Sequence, residues 1–195
     1  MKTKLPAMLG LMASLLLFSP GRAQTDAPAN VPGQKQNETQ TDPGAMTPER
    51  LGEMIRRLDE AAEQNRNVWA FKIDGVAVTL VYDTNADRMR LMVAIAKTED
   101  LTQEEMIRLL QADFDSALDA RYAIAKNVLW SVFIHPLGPL TNEEFLSGIG
   151  QTVNLARTYG TTFSSGALVF GGGDSEDLLQ QRQLIDQLIE KGTPI

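Results

Sequence analysis

The residues of this chain that could do chemistry are few and stand apart from one another. His135 is its single histidine, at the end of an apolar run and directly before Pro136. An imidazole serves as a catalytic base when a nucleophile and an orienting carboxylate stand beside it, and it joins a zinc site when further histidines or thiolates share the ion. The chain has no second histidine and no cysteine, so His135 reads as a surface residue at a strand end. Ser164-Ser165-Gly166 lacks the flanking glycines of the G-x-S-x-G turn that presents a hydrolase serine. Gly171-Gly172-Gly173 lacks the lysine and hydroxyl residue that complete a phosphate loop. Both read as connectors.

Paired carboxylates can hydrolyse glycosides or hold cations. Glu104-Glu105 and Glu143-Glu144 are such pairs, yet each follows a threonine in the pattern of a capping box. There the first helical turn favours negative charge, which accounts for both. Asp83, Asn85 and Asp87 repeat at alternate positions like the oxygen ligands of a calcium loop. Arg88 and Ala94 stand where that loop needs a glycine and an acid. No cofactor and no metal is expected, and the chain reads as a non-enzyme.

Composition narrows the partners. The 195 residues carry a formal net charge of −7, a balance that repels nucleic acid and anionic headgroups and suits a protein partner with a basic or mixed surface. The absence of cysteine excludes disulfides, thiol catalysis, iron–sulfur clusters and lipid attachment through a thiol. At the start, Lys2 and Lys4 precede an apolar stretch from Leu5 to Phe18, followed by Gly21-Arg22-Ala23. This is the order of a secretory signal peptide over residues 1–23, too short for a membrane span. A periplasmic or secreted location follows, with cleavage after Ala23 and no membrane insertion afterwards. Losing Lys2, Lys4 and Arg22 makes the chain more acidic still. Residues 24–45, rich in Pro, Gln, Asn, Thr and Asp, form a disordered linker.

The folded part is expected over residues 46–160. Thr47 and Pro48 open a first helix carrying Leu51, Met54, Ile55, Leu58 and Ala62 at helical spacing and ending near Asn65. Alternating apolar residues then make three strands. The first two are joined by the hairpin signal Asp74-Gly75, and the polar stretch Asp83 to Asp87 leads into the third. Thr102 opens a second helix whose buried stripe is Met106, Leu109, Leu110 and Phe114. Strands over Ala120 to Ala125 and Val128 to His135 follow, and Thr141 opens a third helix. Residues 161–173 are a Gly-rich connector. A C-terminal amphipathic helix over 174–192, mobile about the glycine joint, carries Leu178, Leu184, Ile185 and Leu188. The fold class is α+β, an antiparallel sheet in the order α-βββ-α-ββ-α plus the C-terminal helix.

That order resembles the type III secretion chaperone-like fold, in particular its YbjN-like branch, as an exported variant. The likeness rests on the Asp74-Gly75 hairpin, the strand RLMVAIA (Arg90 to Ala96), and the run Val128 to Phe145 that ends in LTNEEF. It implies a non-enzymatic binding domain, often a homodimer, that presents an apolar sheet face or helix to another protein. The strand Val128 to His135 is apolar on both faces, with Leu129 and Phe133 on one of them. That face either meets a partner or lies under the last helix, and both hold if the helix is a displaceable lid. Leu129, Phe133, Leu178 and Ile185 are the partner-binding residues expected on this ground. The reading is a chaperone-like or adaptor module; the alternative is a carrier of a small ligand or lipid held between sheet and helices. The exported protein should begin at Gln24, which intact-mass spectrometry reads directly. Recovery outside the cytoplasm with Met1 retained would overturn the cleavage.

Overall fold

Thr47 turns the chain into its first helix: its Oγ1 accepts the Arg50 N–H at 3.3 Å, and Pro48 occupies the first helical position, where no N–H is needed. The computed structural model describes residues 45–166 and 176–194, with side chains in the second stretch described from residue 180. The expected signal peptide, the leader up to residue 44 and the Gly171 to Gly173 joint lie outside the described residues.

Helix α1 spans Pro48–Leu58 and stops short of the expected Asn65. Asp59 ends it. Its Oδ1 accepts the Ala61 N–H at 3.0 Å and its Oδ2 accepts the Lys72 N–H at 2.8 Å, the local side-chain bonding that competes with a helix. The residues freed from the helix make a short edge strand, β1 (Glu63–Asn65), which pairs with β2 (Val68–Ile73). The meander continues through β3 (Val76–Asp83) and β4 (Arg88–Lys97). Asp74 and Gly75 join β2 to β3 with φ of 46° and 82°, the left-handed pair that a two-residue hairpin requires.

After β4 come helix α2 (Gln103–Asp115), the hairpin β5 (Arg121–Ala125) and β6 (Val128–His135), then helix α3 (Asn142–Arg157) and helix α4 (Glu176–Gly192). The fold is α+β. Its antiparallel sheet of six strands runs β1-β2-β3-β4-β6-β5. Trp69, Leu80, Leu91 and Phe133 stand opposite one another across β2, β3, β4 and β6. All four are buried in one core cluster with residues of α1, α3 and α4. The opposite face carries Val81, Arg90 and Ile134 in one row and Thr79, Met92 and Val132 in the next, each half-buried or exposed.

Helix α3 lies between this sheet and α4, and two glycines allow it. A Cβ at Gly148 would stand 2.8 Å from the Phe133 ring, and one at Gly150 would stand 2.7 Å from Ile185 Cγ1. Helix α4 is thus part of the core, and not the separate mobile element expected from the glycine run. Leu184, Ile185 and Leu188 are buried, and Lys191 Nζ donates to the Leu58 carbonyl at 2.9 Å. Leu188→Ala should therefore lower stability by about 2–5 kcal/mol, and Gly150→Ala by about 1–3 kcal/mol through overpacking, both read from urea unfolding. A chain truncated before Glu176 that unfolds at the same midpoint as the intact one would show α4 to be dispensable.

Candidate functional site

The two strand residues expected to face a partner are interior. Leu129 is 1 % exposed and Phe133 is 4 % exposed. Both point to the helix-covered face of the sheet, where Phe133 fits beneath Gly148. The premise of an uncovered Leu129–Phe133 face is corrected: α3 covers Phe133, and the open side of β6 is that of Val132 and Ile134. Ile185 is buried against Gly150 of α3, and the side chain of Leu178 lies outside the described ones.

The exposed apolar surface is elsewhere, on α2. Thr102 opens this helix with a full capping box: its Oγ1 accepts the Glu105 N–H at 3.2 Å, and Glu105 Oε2 accepts the Thr102 N–H at 2.7 Å. The helix then lies along the outer edge of β5. Asp113 Oδ1 accepts the Tyr122 N–H at 2.8 Å, so a carboxylate caps part of the strand edge. Burial raises the Asp113 carboxyl, opposed by that bond, and burial likewise raises the Tyr122 hydroxyl, whose proton is donated to the Leu155 carbonyl at 2.8 Å. The far end is tied to the segment after α3, where Ser116 Oγ donates to the Phe163 carbonyl at 2.7 Å and Arg108 lies over the Phe163 ring at 5.0 Å.

Only Leu109 and Ala112 of α2 are buried. Of the expected buried stripe, Leu109 holds; Met106, Leu110 and Phe114 do not. The reason is positional: α1, α3 and α4 fill the core with the sheet's inner face, leaving α2 a narrow contact at the sheet's edge. Ile107 is 50 % exposed, Leu110 72 % and Phe114 91 %. Between α2 and β5 runs an apolar groove of about 290 Å³ lined by Met106, Leu109, Leu110, Tyr122 and Ile124, with the buried Leu129 at its floor, so that one of the expected partner-binding residues does border it. A second hollow of about 370 Å³ lies along Ile107, Leu110 and Phe114. Sequence reasoning missed Ile107 and Ile124. The available signal was the width of the apolar arc on α2, where Met106, Ile107, Leu109, Leu110 and Phe114 cover more of the helix than one contact line can bury.

The remaining candidates have structural partners. Asp83 Oδ1 accepts the N–H groups of Asn85 and Ala86 at 2.9 and 3.0 Å, and Asp87 Oδ1 accepts the Gly138 N–H at 2.6 Å. These carboxylates serve turns. Ser164 and Ser165 are buried beside α3, where Ser164 Oγ accepts the Gly166 N–H at 3.2 Å. His135 stacks on Phe133 at 5.9 Å, and its Nδ1 lies 2.8 Å from the Pro136 carbonyl oxygen. It lines a polar cavity of about 590 Å³ between the end of β6, the loop before β5 and the first turns of α3. Among the described residues no group of three His, Asp or Glu side chains is arranged to hold a metal, and no helix is long and apolar enough to cross a membrane.

With this geometry in hand, comparison with known proteins adds no assignment: no family model and no curated protein matches the chain.

The cap of α3 carries a pH dependence. Glu144 Oε2 accepts the Thr141 N–H at 2.8 Å and the Thr141 hydroxyl at 2.9 Å. The backbone bond from Thr141 is the main cause that lowers its carboxyl below the ordinary value. A lowered folded-state value gives stability that is present above the unfolded value and lost as pH falls. The stability difference between the natural chain and Glu144→Gln should therefore shrink between about pH 6 and pH 3. Thermal melts of both proteins across that range check it; a difference that widens on acidification would refute it.

Proposed function

We propose that this chain is an exported, non-enzymatic protein-binding module, chaperone-like or adaptor in character, that receives its partner on the α2–β5 face. One observation carries the reading: the high exposure of Leu110 and Phe114 on a helix beside an apolar groove. Large apolar side chains gathered in this way mark interaction surfaces on soluble domains. The element order supports treating the chain as an exported relative of the type III secretion chaperone-like fold, and the basic, apolar and small-residue order of residues 1–23 supports export.

Charge selects the kind of partner. Helix α2 carries Glu104, Glu105, Asp113 and Asp115 against the single base Arg108. Two copies laid face to face would bring acid against acid. A segment of another protein with apolar anchors and basic flanks meets both features of the surface.

Leu110→Asp with Phe114→Asp should abolish in-cell crosslinking of the tagged protein to its partner and leave the thermal melt within a few degrees of the natural chain. Leu129→Asp, by contrast, should unfold the domain, because that residue is interior. Retention of the partner by the α2 variant would overturn the reading. Loss of a self-crosslink alone would make the face a homodimer contact, and a small molecule found by native mass spectrometry in the α2–β5 groove would favour the carrier alternative.

A further inference from the structure

Strand β6 is longer than the strand beside it. The ladder with β5 runs from Ala125 opposite Val128 to Arg121 opposite Val132 and ends there, while β6 continues to His135. The two-residue turn Lys126-Asn127, with φ of 52° and 60°, makes Ala125 and Val128 a hydrogen-bonded pair. Every second residue after Val128 then turns its N–H and C=O toward the β5 side: Trp130, Val132 and finally Ile134. The first two face β5. Ile134, 54 % exposed, lies past the end of β5 and faces the cavity of about 590 Å³.

The loop before β5 keeps this space open because it is drawn toward α3. Gln151 Oε1 accepts the N–H groups of Asp119 and Ala120 at 3.0 and 3.2 Å, and Gln151 Nε2 donates to Asp119 Oδ2 at 3.1 Å. The cavity walls carry three carboxylates, Asp119, Glu143 and Glu144, against one guanidinium. That guanidinium, of Arg121, donates through Nη1 to the carbonyls of Ala117 and Ala120 at 2.8 and 3.1 Å.

We propose that the overhanging end of β6 is a strand-addition site for an extended segment of another protein that bears a lysine or arginine. The incoming backbone takes the line that β5 vacates and pairs with Ile134. Its basic side chain enters the cavity between Asp119 and Glu143, where opposite charge selects it. This site is separate from the α2–β5 face and stands or falls independently of it.

The probe is a capped, fluorescently labelled heptapeptide alternating valine with lysine, titrated against the full chain by anisotropy. Binding should weaken tenfold or more with glutamate in place of lysine, and likewise with N-methylated backbone amides. Ile134→Pro removes the outward N–H of a residue that stands opposite Arg90 of β4 but turns its own N–H away from that strand, and it should abolish binding. Asp119→Asn with Glu143→Gln, which remove both charges and keep the side-chain shapes, should weaken binding tenfold or more while leaving the melt within a few degrees. Leu110→Asp with Phe114→Asp should leave the peptide's affinity unchanged, which separates this site from the proposed partner face. Equal binding of the glutamate peptide, equal binding of the N-methylated peptide, or no binding at millimolar peptide would overturn the proposal.

Discussion

Helix α3 is held between the sheet and α4, and the rest of the domain is arranged around that position. From Gly148 to Leu155 every one of its residues is buried. Gly148 and Gly150 lie on roughly opposite sides of the helix, so the backbone can approach Phe133 on one side and Ile185 on the other. Glycine in a helix interior costs about 1 kcal/mol relative to alanine. Here the close packing of two layers offsets that cost, because any side chain at either position would push the layers apart.

A helix so enclosed must also satisfy its polar side chains, and α3 uses them to hold the irregular segments. Gln151 fixes the loop before β5. Asn154 Nδ2 donates to the carbonyls of Ser165 at 3.0 Å and Gln181 at 2.9 Å, joining the segment after α3 to α4. Thr158 Oγ1 accepts the Ser164 N–H at 2.9 Å and closes the turn beyond the helix. With the inner face of the sheet packed against α1, α3 and α4, α2 is left at its margin with an apolar surface turned outward. The exposed apolar surface of α2 is thus a by-product of how completely α3 fills the centre.

The sequence announced most elements because their signals are local. Thr102 and Thr141 each open a helix through the capping box read from four residues, and the stretch Val128 to His135 is a strand over its whole predicted length. Both helices carry the same heading, yet one is central and the other peripheral. Caps report where a helix begins and say nothing of what it packs on. For the same reason Leu129 and Phe133 were legible as one face of β6, while what covers it depended on α3 crossing above Phe133 and α2 lying beside Leu129. Asp59 escaped because its role depends on the Lys72 N–H, a partner supplied by a strand that the helical pattern of Leu58 and Ala62 does not foresee. The exposed patch on α2 was hidden by its own resemblance to a buried stripe.

The dependence of α3 on α4 also sets an order of events along the chain. The residues that close over Gly150, Ile185 and Leu188, come well after α3 in the chain. Until they dock, α3 carries one bare flank. The core is therefore complete only once α4 has docked. Helix α4 thus acts as a latch, the element whose docking turns an open two-layer arrangement into a closed domain.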